Sequence, residues 1–227
     1  MKHLIIFLIT IVGSFNALSQ NLSFSVGTDI PYQHYIGINF ETKKIDMSYR
    51  TGILIPPYSD AILDIIQNLG TDEIYINLLD TSFDFGWMNN IGTYYKFGKQ
   101  KNWYIGSELR FDNLTVADTP KDLIEALTGQ SVNTVNLIDK NIELKLGLRM
   151  IAVGLRFGKS FSISSNNKHH IKTEFSINKY ITTQSVLKVN GKNFERINQE
   201  LDRLLWEDVF RPYGYVGGIG FAYCYKF

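Results

Sequence analysis

Nearly all of the chain beyond residue 20 is written with a period of two. Leu22, Phe24 and Val26 alternate with Ser23, Ser25 and Gly27. Ile36, Ile38 and Phe40 alternate with Gly37, Asn39 and Glu41. Ile45, Met47 and Tyr49 alternate with Asp46, Ser48 and Arg50, and Ile53 and Ile55 continue that row. Phe83, Phe85, Trp87, Ile91, Tyr95 and Phe97 share one parity, with Asp84, Gly86, Gly92 and Lys96 on the other. Trp103, Ile105, Leu109 and Phe111 oppose Gly106, Glu108, Arg110 and Asp112. Val153, Leu155, Phe157 and Phe161 oppose Gly154, Arg156, Gly158 and Ser160. Ile171, Phe175 and Ile177 oppose Lys172, Glu174 and Asn178. The eighth segment, 213–227, closes the chain. Such alternation marks β-strands whose two faces meet different surroundings. One place breaks it. The apolar set is even through Leu148 and Met150, then odd from Val153, with no turn residue between. That predicts one long strand carrying a β-bulge near 150–152.

Alternation does not say which face meets the core. A soluble lipocalin-like barrel would place the apolar rows inside, and an outer-membrane barrel would place them against lipid. The rows hold about 35 large apolar side chains, whereas the interior layers of an eight-stranded barrel pack about a dozen. The apolar rows therefore face outward. The opposite rows are rich in glycine, serine and charges of both signs, which suit a narrow lumen.

The connections are of two kinds. The stretches 41–44, 98–101 and 164–168 are short and polar. Three others, around 58–70, 118–129 and 192–210, carry helix-like patterns. The first two strands are joined tightly near Pro31 and Gln33. With eight strands and both ends on one side, every short turn falls on that side and every helix-bearing loop on the other, as outer-membrane barrels require. A weak internal repeat aligns 76–85 with 135–144, each read as a strand entry after a helix.

Before the first strand, a short basic stretch, the apolar run of residues 4–12 and a small-residue segment with Ala17 and Ser19 form a secretory signal. The division is thus a targeting segment at 1–19 and a barrel at 20–227. The last strand ends Phe221, Tyr223, Tyr225, Phe227. This run resembles the C-terminal sorting signal of Gram-negative outer-membrane β-barrels. The chain is similar in architecture to small barrels of the OmpA-transmembrane and OmpX type, and its Tyr-, Asn- and Lys-rich style looks like proteins of the Bacteroidota. The resemblance implies outer-membrane localisation, contact with outer-membrane lipid, and recognition of that strand by the barrel-assembly machinery.

The charge is nearly balanced, with 23 Lys+Arg against 22 Asp+Glu, so nothing points to nucleic acid. One cysteine, Cys224, excludes a disulfide framework. No metal-ligand spacing or phosphate loop is present, and no cofactor is implied. The lumen row carries Asp46, Arg50, Asp84, Lys96, Glu108, Arg110, Asp112, Arg156, Lys172 and Glu174. Equal numbers of acids and bases in so narrow a space predict a closed ion-pair network rather than a pore. The loop helices either plug the barrel mouth or present Ile62, Ile65, Ile66, Leu123, Leu127 and Leu201 to a protein partner. The reading is a non-enzymatic barrel with a structural or surface-binding role. The alternatives are a subunit of a larger secretion or uptake assembly and a lipid A-modifying enzyme. For the enzyme, His34 with Ser59 and Asp60 is the only rim constellation.

Overall fold

Pro31 and Tyr32 turn the chain between two strands, β1 (Leu22–Ile30) and β2 (Gln33–Glu41), and the Tyr32 amide closes the turn on the Asp29 carbonyl at 2.5 Å. The same up-and-down step repeats around the molecule. Strands β3 (Ile45–Leu54), β4 (Phe85–Phe97), β5 (Trp103–Thr115), β6 (Leu144–Ser162) and β7 (His169–Val189) follow in order, each antiparallel to the one before. A two-residue β8 (Lys192–Asn193) sits at the end of β7. The last strand, β9 (Tyr215–Lys226), pairs with β7 on one side and with β1 on the other, so the eight long strands close into an antiparallel barrel with no free edge. This computed structural model describes residues 22–80, 85–115, 144–189, 192–193 and 195–227. Residues 1–19, where a targeting segment is expected, the stretch at 118–129 expected to be helix-like, and Asp84, Leu123 and Leu127 lie outside the described residues.

The short turns β2–β3, β4–β5 and β6–β7 lie at one end of the barrel, together with the start of β1 and the end of β9. The helices lie at the other end. Between β3 and β4 run α1 (Tyr58–Asn68) and α2 (Glu73–Asp80). Between β8 and β9 run α3 (Glu195–Leu204), a π-helical turn (Leu205–Phe210) and the single turn α4 (Arg211–Tyr213). The alternating strand pattern thus predicts the strand order, and its inside–outside sense follows as well. Every long strand points large apolar side chains outward, with Ile36 51%, Ile91 52%, Leu155 59% and Phe175 60% exposed. The alternate residues are buried. Aromatic side chains gather at the turn end, where Trp103 stacks on Phe157 at 5.2 Å and Tyr225 meets Phe227 edge-on at 5.5 Å.

Two sequence expectations are corrected. The bulge is not on β6. Strand β6 keeps its even residues inward throughout, from Leu148 through Met150 and Ala152 to Arg156. The register against β7 shifts between Ile151 and Ala152, which pair with Thr182 and Tyr180, so the unpaired extra residue is Ile181 of β7. What changes along β6 is the content of the barrel, not the direction of the side chains. Near the helical end the interior is apolar, so inward Leu148 and Met150 look like members of an outward row. The first half of the repeat is also not a strand entry, because residues 76–80 complete α2, and 135–143 lie outside the described residues. Leu78 and Leu79 are fully buried in α2, and their adjacency suits a helix rather than an alternating strand.

The interior is narrow enough that its tyrosines need glycines beside them. Tyr104 pairs with Gly158, and a Cβ at Gly158 would lie 2.5 Å from Tyr104 Cζ. A Cβ at Gly92 would likewise collide with the Tyr94 ring. Gly158→Val should therefore push Tyr104 out of place and destabilise the barrel by about 1–3 kcal/mol, the usual cost of overpacking. A urea titration of the refolded protein, followed by tryptophan fluorescence, measures this; an unchanged midpoint would contradict the packing described.

Candidate functional site

Five strands place charged side chains at one level in the middle of the barrel. They are Asp29 on β1, Arg50 on β3, Glu108 on β5, Arg156 on β6 and Glu174 on β7, all at most 3% exposed. Each sits beside small partners. Arg50 pairs with Gly37, Glu108 with Gly92 and Gly154, Arg156 with Gly106, and Glu174 with Gly158 and Gly220. The glycines leave the cross-section free for long side chains to cross the lumen. Arg50 clamps Glu174 in a two-pronged contact, Nη1 to Oε2 at 2.8 Å and Nη2 to Oε1 at 2.7 Å. Arg156 donates to three carboxylates: to Asp29 at 2.8 and 3.0 Å, to Glu174 at 2.6 Å, and to both oxygens of Glu108. The planar guanidinium fork suits such shared recognition.

Two arginines face three carboxylates here, and the remaining acceptor capacity is met by neutral donors. Tyr94 Oη donates to Glu108 at 2.5 Å, Tyr104 Oη to Glu174 at 2.6 Å, and Asn90 Nδ2 to Glu108 at 3.1 Å. Sequence reasoning missed Asp29 and these tyrosines. Consecutive aromatics such as Tyr94–Tyr95 and Trp103–Tyr104 carried the signal, since neighbours in a strand must face opposite ways.

Above this cluster, toward the helices, lie Arg110 and Asp112. Both are buried, but among the described residues they form no ion pair with each other or with another charge, which departs from a fully paired network. Arg110 instead stacks on Tyr32, its Cζ 3.6 Å from the ring centroid, and its guanidinium nitrogens make no hydrogen bond. Tyr180 Oη donates to Asp112 at 3.0 Å, and Asn178 donates to Tyr32 Oη at 3.0 Å. A cation on an aromatic face keeps part of its electrostatic stabilisation without a carboxylate.

Further up, the interior turns apolar. Leu54, Met88, Leu114, Leu148 and Met150 from the strands meet Ile62, Leu63 and Ile66 of α1, Leu78 and Leu79 of α2, Leu201 of α3, and Leu205, Val209 and Phe210 of the π-helical turn. Ile62, Ile66 and Leu201 are fully buried in this cluster and Ile65 is partly buried against it. Of the stripe that could face a partner, Ile62, Ile66 and Leu201 are turned inward, and Leu123 and Leu127 lie outside the described residues. Ile197, Leu201, Leu205 and Val209 follow one another at four-residue spacing, so one buried row runs from α3 into the π-helical turn. Polar ties hold the helices. Tyr75 Oη donates to Asp208 at 2.6 Å, and Lys179 Nζ donates to the Phe210 and Arg211 carbonyls at 2.9 and 2.5 Å. Partial burial, and next the Asp208 carboxylate, push the Tyr75 phenol up to about 12.

His34 is exposed at the rim with its ring 5.0 Å from that of Tyr58. Ser59 is buried and donates to Asp60 at 3.3 Å. The three residues are therefore not joined as nucleophile, base and orienting acid.

The two ends differ in charge. The turns at 42–44, 98–102 and 163–168 contain Lys43, Lys44, Lys99, Lys101 and Lys168 and no acid. The helices carry Asp60, Asp64, Glu73, Asp80, Glu195, Glu200, Asp202, Glu207 and Asp208 against Arg196, Arg203 and Arg211. At the turn end the charged lumen residues continue into Asp46, Lys96 and Lys172, joined by Glu41 and Lys226. Lys172 reaches Asp46 at 3.1 Å, and Lys96 and Lys226 reach Glu41 at 2.9 and 2.6 Å.

No family model matches the chain, and no curated protein matches it. Among solved structures it is similar to CarO of Acinetobacter baumannii, at 12% identity and a TM-score of 0.41 over 93% of this chain and 99% of that one. It is also similar to CarO2 of the same organism, at 9% identity and a TM-score of 0.39 over 91% and 97% of the two chains. A major outer membrane protein from Thermus thermophilus matches at 9% identity and a TM-score of 0.45, over 91% of this chain and 99% of that one.

Arg156 is the residue on which the central cluster turns. Arg156→Met leaves three buried carboxylates with Arg50 alone and should cost about 3–5 kcal/mol, the penalty for an uncompensated buried charge. The urea midpoint at neutral pH measures this. A loss below about 1 kcal/mol would contradict the cluster as described.

Proposed function

We propose that the chain is an outer-membrane β-barrel, exported by its N-terminal signal, with a closed lumen and a non-enzymatic role in envelope structure or surface binding. The observation that carries this reading is the contrast between the two faces of every long strand. Outside lies a continuous apolar belt, and inside lie hydrogen-bonded charges. In water such an outer surface would be far larger than the apolar patches that soluble monomers expose. In a bilayer it is the required surface, and barrel closure satisfies every strand's backbone internally.

In this reading the short lysine-bearing turns face the periplasm and the helices face outward. The lumen is closed twice, by the arginine–carboxylate cluster at mid-height and by the apolar cap of the helices. The helical loops support binding through their acidic outer faces rather than through their buried leucines and isoleucines. Phe221, Tyr223 and Phe227 face outward on β9 at the periplasmic rim, with Tyr225 half-buried beside His169. That placement favours their role as the assembly signal, since a recognised strand must offer its aromatic row to the machinery.

Reconstitution into planar bilayers tests the proposal. The protein should extract only with detergent, migrate differently on gels before and after heating, and give no conductance above the bare bilayer. Steady single-channel steps in the unmodified protein would overturn the closed lumen, and buffer-soluble monomeric behaviour would overturn the membrane reading.

A further inference from the structure

At the turn end the barrel opens into a polar cavity of about 780 Å³. Its wall carries four lysines, Lys96, Lys101, Lys172 and Lys226, but only two carboxylates, Glu41 and Asp46. The pairing is uneven. Glu41 serves Lys96 at 2.9 Å and Lys226 at 2.6 Å, and Lys172 lies 4.0 Å from it. Lys172 takes Asp46 as its nearer partner at 3.1 Å. Lys101 forms no ion pair among the described residues. The cavity wall thus holds two more positive than negative charges, and the lysines of the surrounding turns have no acids among them.

We propose that this vestibule binds a phosphoryl group. A concave, partly enclosed site with an excess of one sign concentrates ligands of the opposite sign. The chemical class follows from the donors. The cations lining the cavity are ammonium groups, which act as point charges toward the several oxygens of a phosphoryl group. No guanidinium lines it, so neither carboxylate nor phosphate meets a planar two-pronged fork, and several point charges together favour the anion with more oxygens and more charge. Ser160, with Asn102 and Asn167, adds neutral polar groups on the same wall. The group can belong to a soluble phosphomonoester or to a phospholipid headgroup at the adjoining membrane surface. The recognition chemistry is shared.

The test uses the full mature protein refolded in octyl glucoside, a detergent without phosphate, with binding followed by calorimetry. Glycerol phosphate probes the soluble source, dihexanoyl-phosphatidylglycerol the lipid source, and acetate the anion class. Saturable binding of either phosphoryl probe, with acetate much weaker, is expected. Lys101→Gln lies on an exposed turn and should weaken binding on the order of fivefold, as for loss of one partly screened charge contact, while the gel shift on heating stays unchanged. Lys101→Gln combined with Lys226→Gln should weaken it further. Saturation by glycerol phosphate supports a soluble ligand, and saturation by the lipid alone supports a headgroup. No saturation by either probe, equal binding of acetate, or affinity unchanged in the double variant would overturn the proposal.

Discussion

The pairing of β1 with β9 is the constraint on which the rest of the molecule depends. Eight residue pairs, from Ser23↔Lys226 to Ile30↔Ile219, join the first strand to the last. They remove the only two edges an up-and-down sheet would leave exposed. An open edge in hydrocarbon would strand backbone amides and carbonyls at several kcal/mol each. Closure at eight strands also sets the circumference, and the circumference limits what fits inside. An interior this narrow takes one layer of long side chains per level, with glycine as their neighbour. The matching of Arg156 to Gly106, Glu174 to Gly220 and Tyr104 to Gly158 is the consequence.

The interior is graded along its axis. At the turn end it opens into a lysine-rich cavity, at mid-height it is a buried cluster of two arginines and three carboxylates, and at the helical end it is apolar. The gradation follows from access to water. Charges at the open end keep part of their hydration, so incomplete pairing there costs little. At mid-height the buried charges are compensated across the lumen, and Arg156 reaches carboxylates on three strands. Where the helices exclude water without supplying charges, side chains such as Leu54, Met88 and Met150 take over.

Much of the architecture was legible in the alternating pattern, because each strand of a closed barrel has two faces with different surroundings. The eight strands, the outward sense of the apolar rows and, among the described residues, the sorting of short turns from helices all follow from period and counting. The pattern misled where hydrophobicity and direction part company. On β6, Leu148 and Met150 are apolar because they face the helical cap, not because they face outward, and the resulting parity change imitated a bulge. The real irregularity, at Ile181, leaves no break in composition that would mark it. Among the lumen residues, Asp46, Arg50, Lys96, Glu108, Arg156, Lys172 and Glu174 are brought into ion pairs. Arg110 and Asp112 share the interior but find tyrosines instead. Their partners could not be read from one strand at a time, because a cross-lumen contact depends on the register of all eight.

The central claim is the direction of the two rows, and spin labels along one strand test it most directly. In a Cys224→Ala background, single nitroxide labels at Tyr35, Ile36, Ile38, Asn39 and Phe40 of reconstituted protein report their surroundings through collision with oxygen and with a water-soluble nickel complex. The account predicts an alternation in which Ile36, Ile38 and Phe40 collide freely with lipid-dissolved oxygen, while Tyr35 and Asn39 are shielded from it. High nickel accessibility at Ile36 and Ile38, or the same accessibility at all five positions, would contradict it.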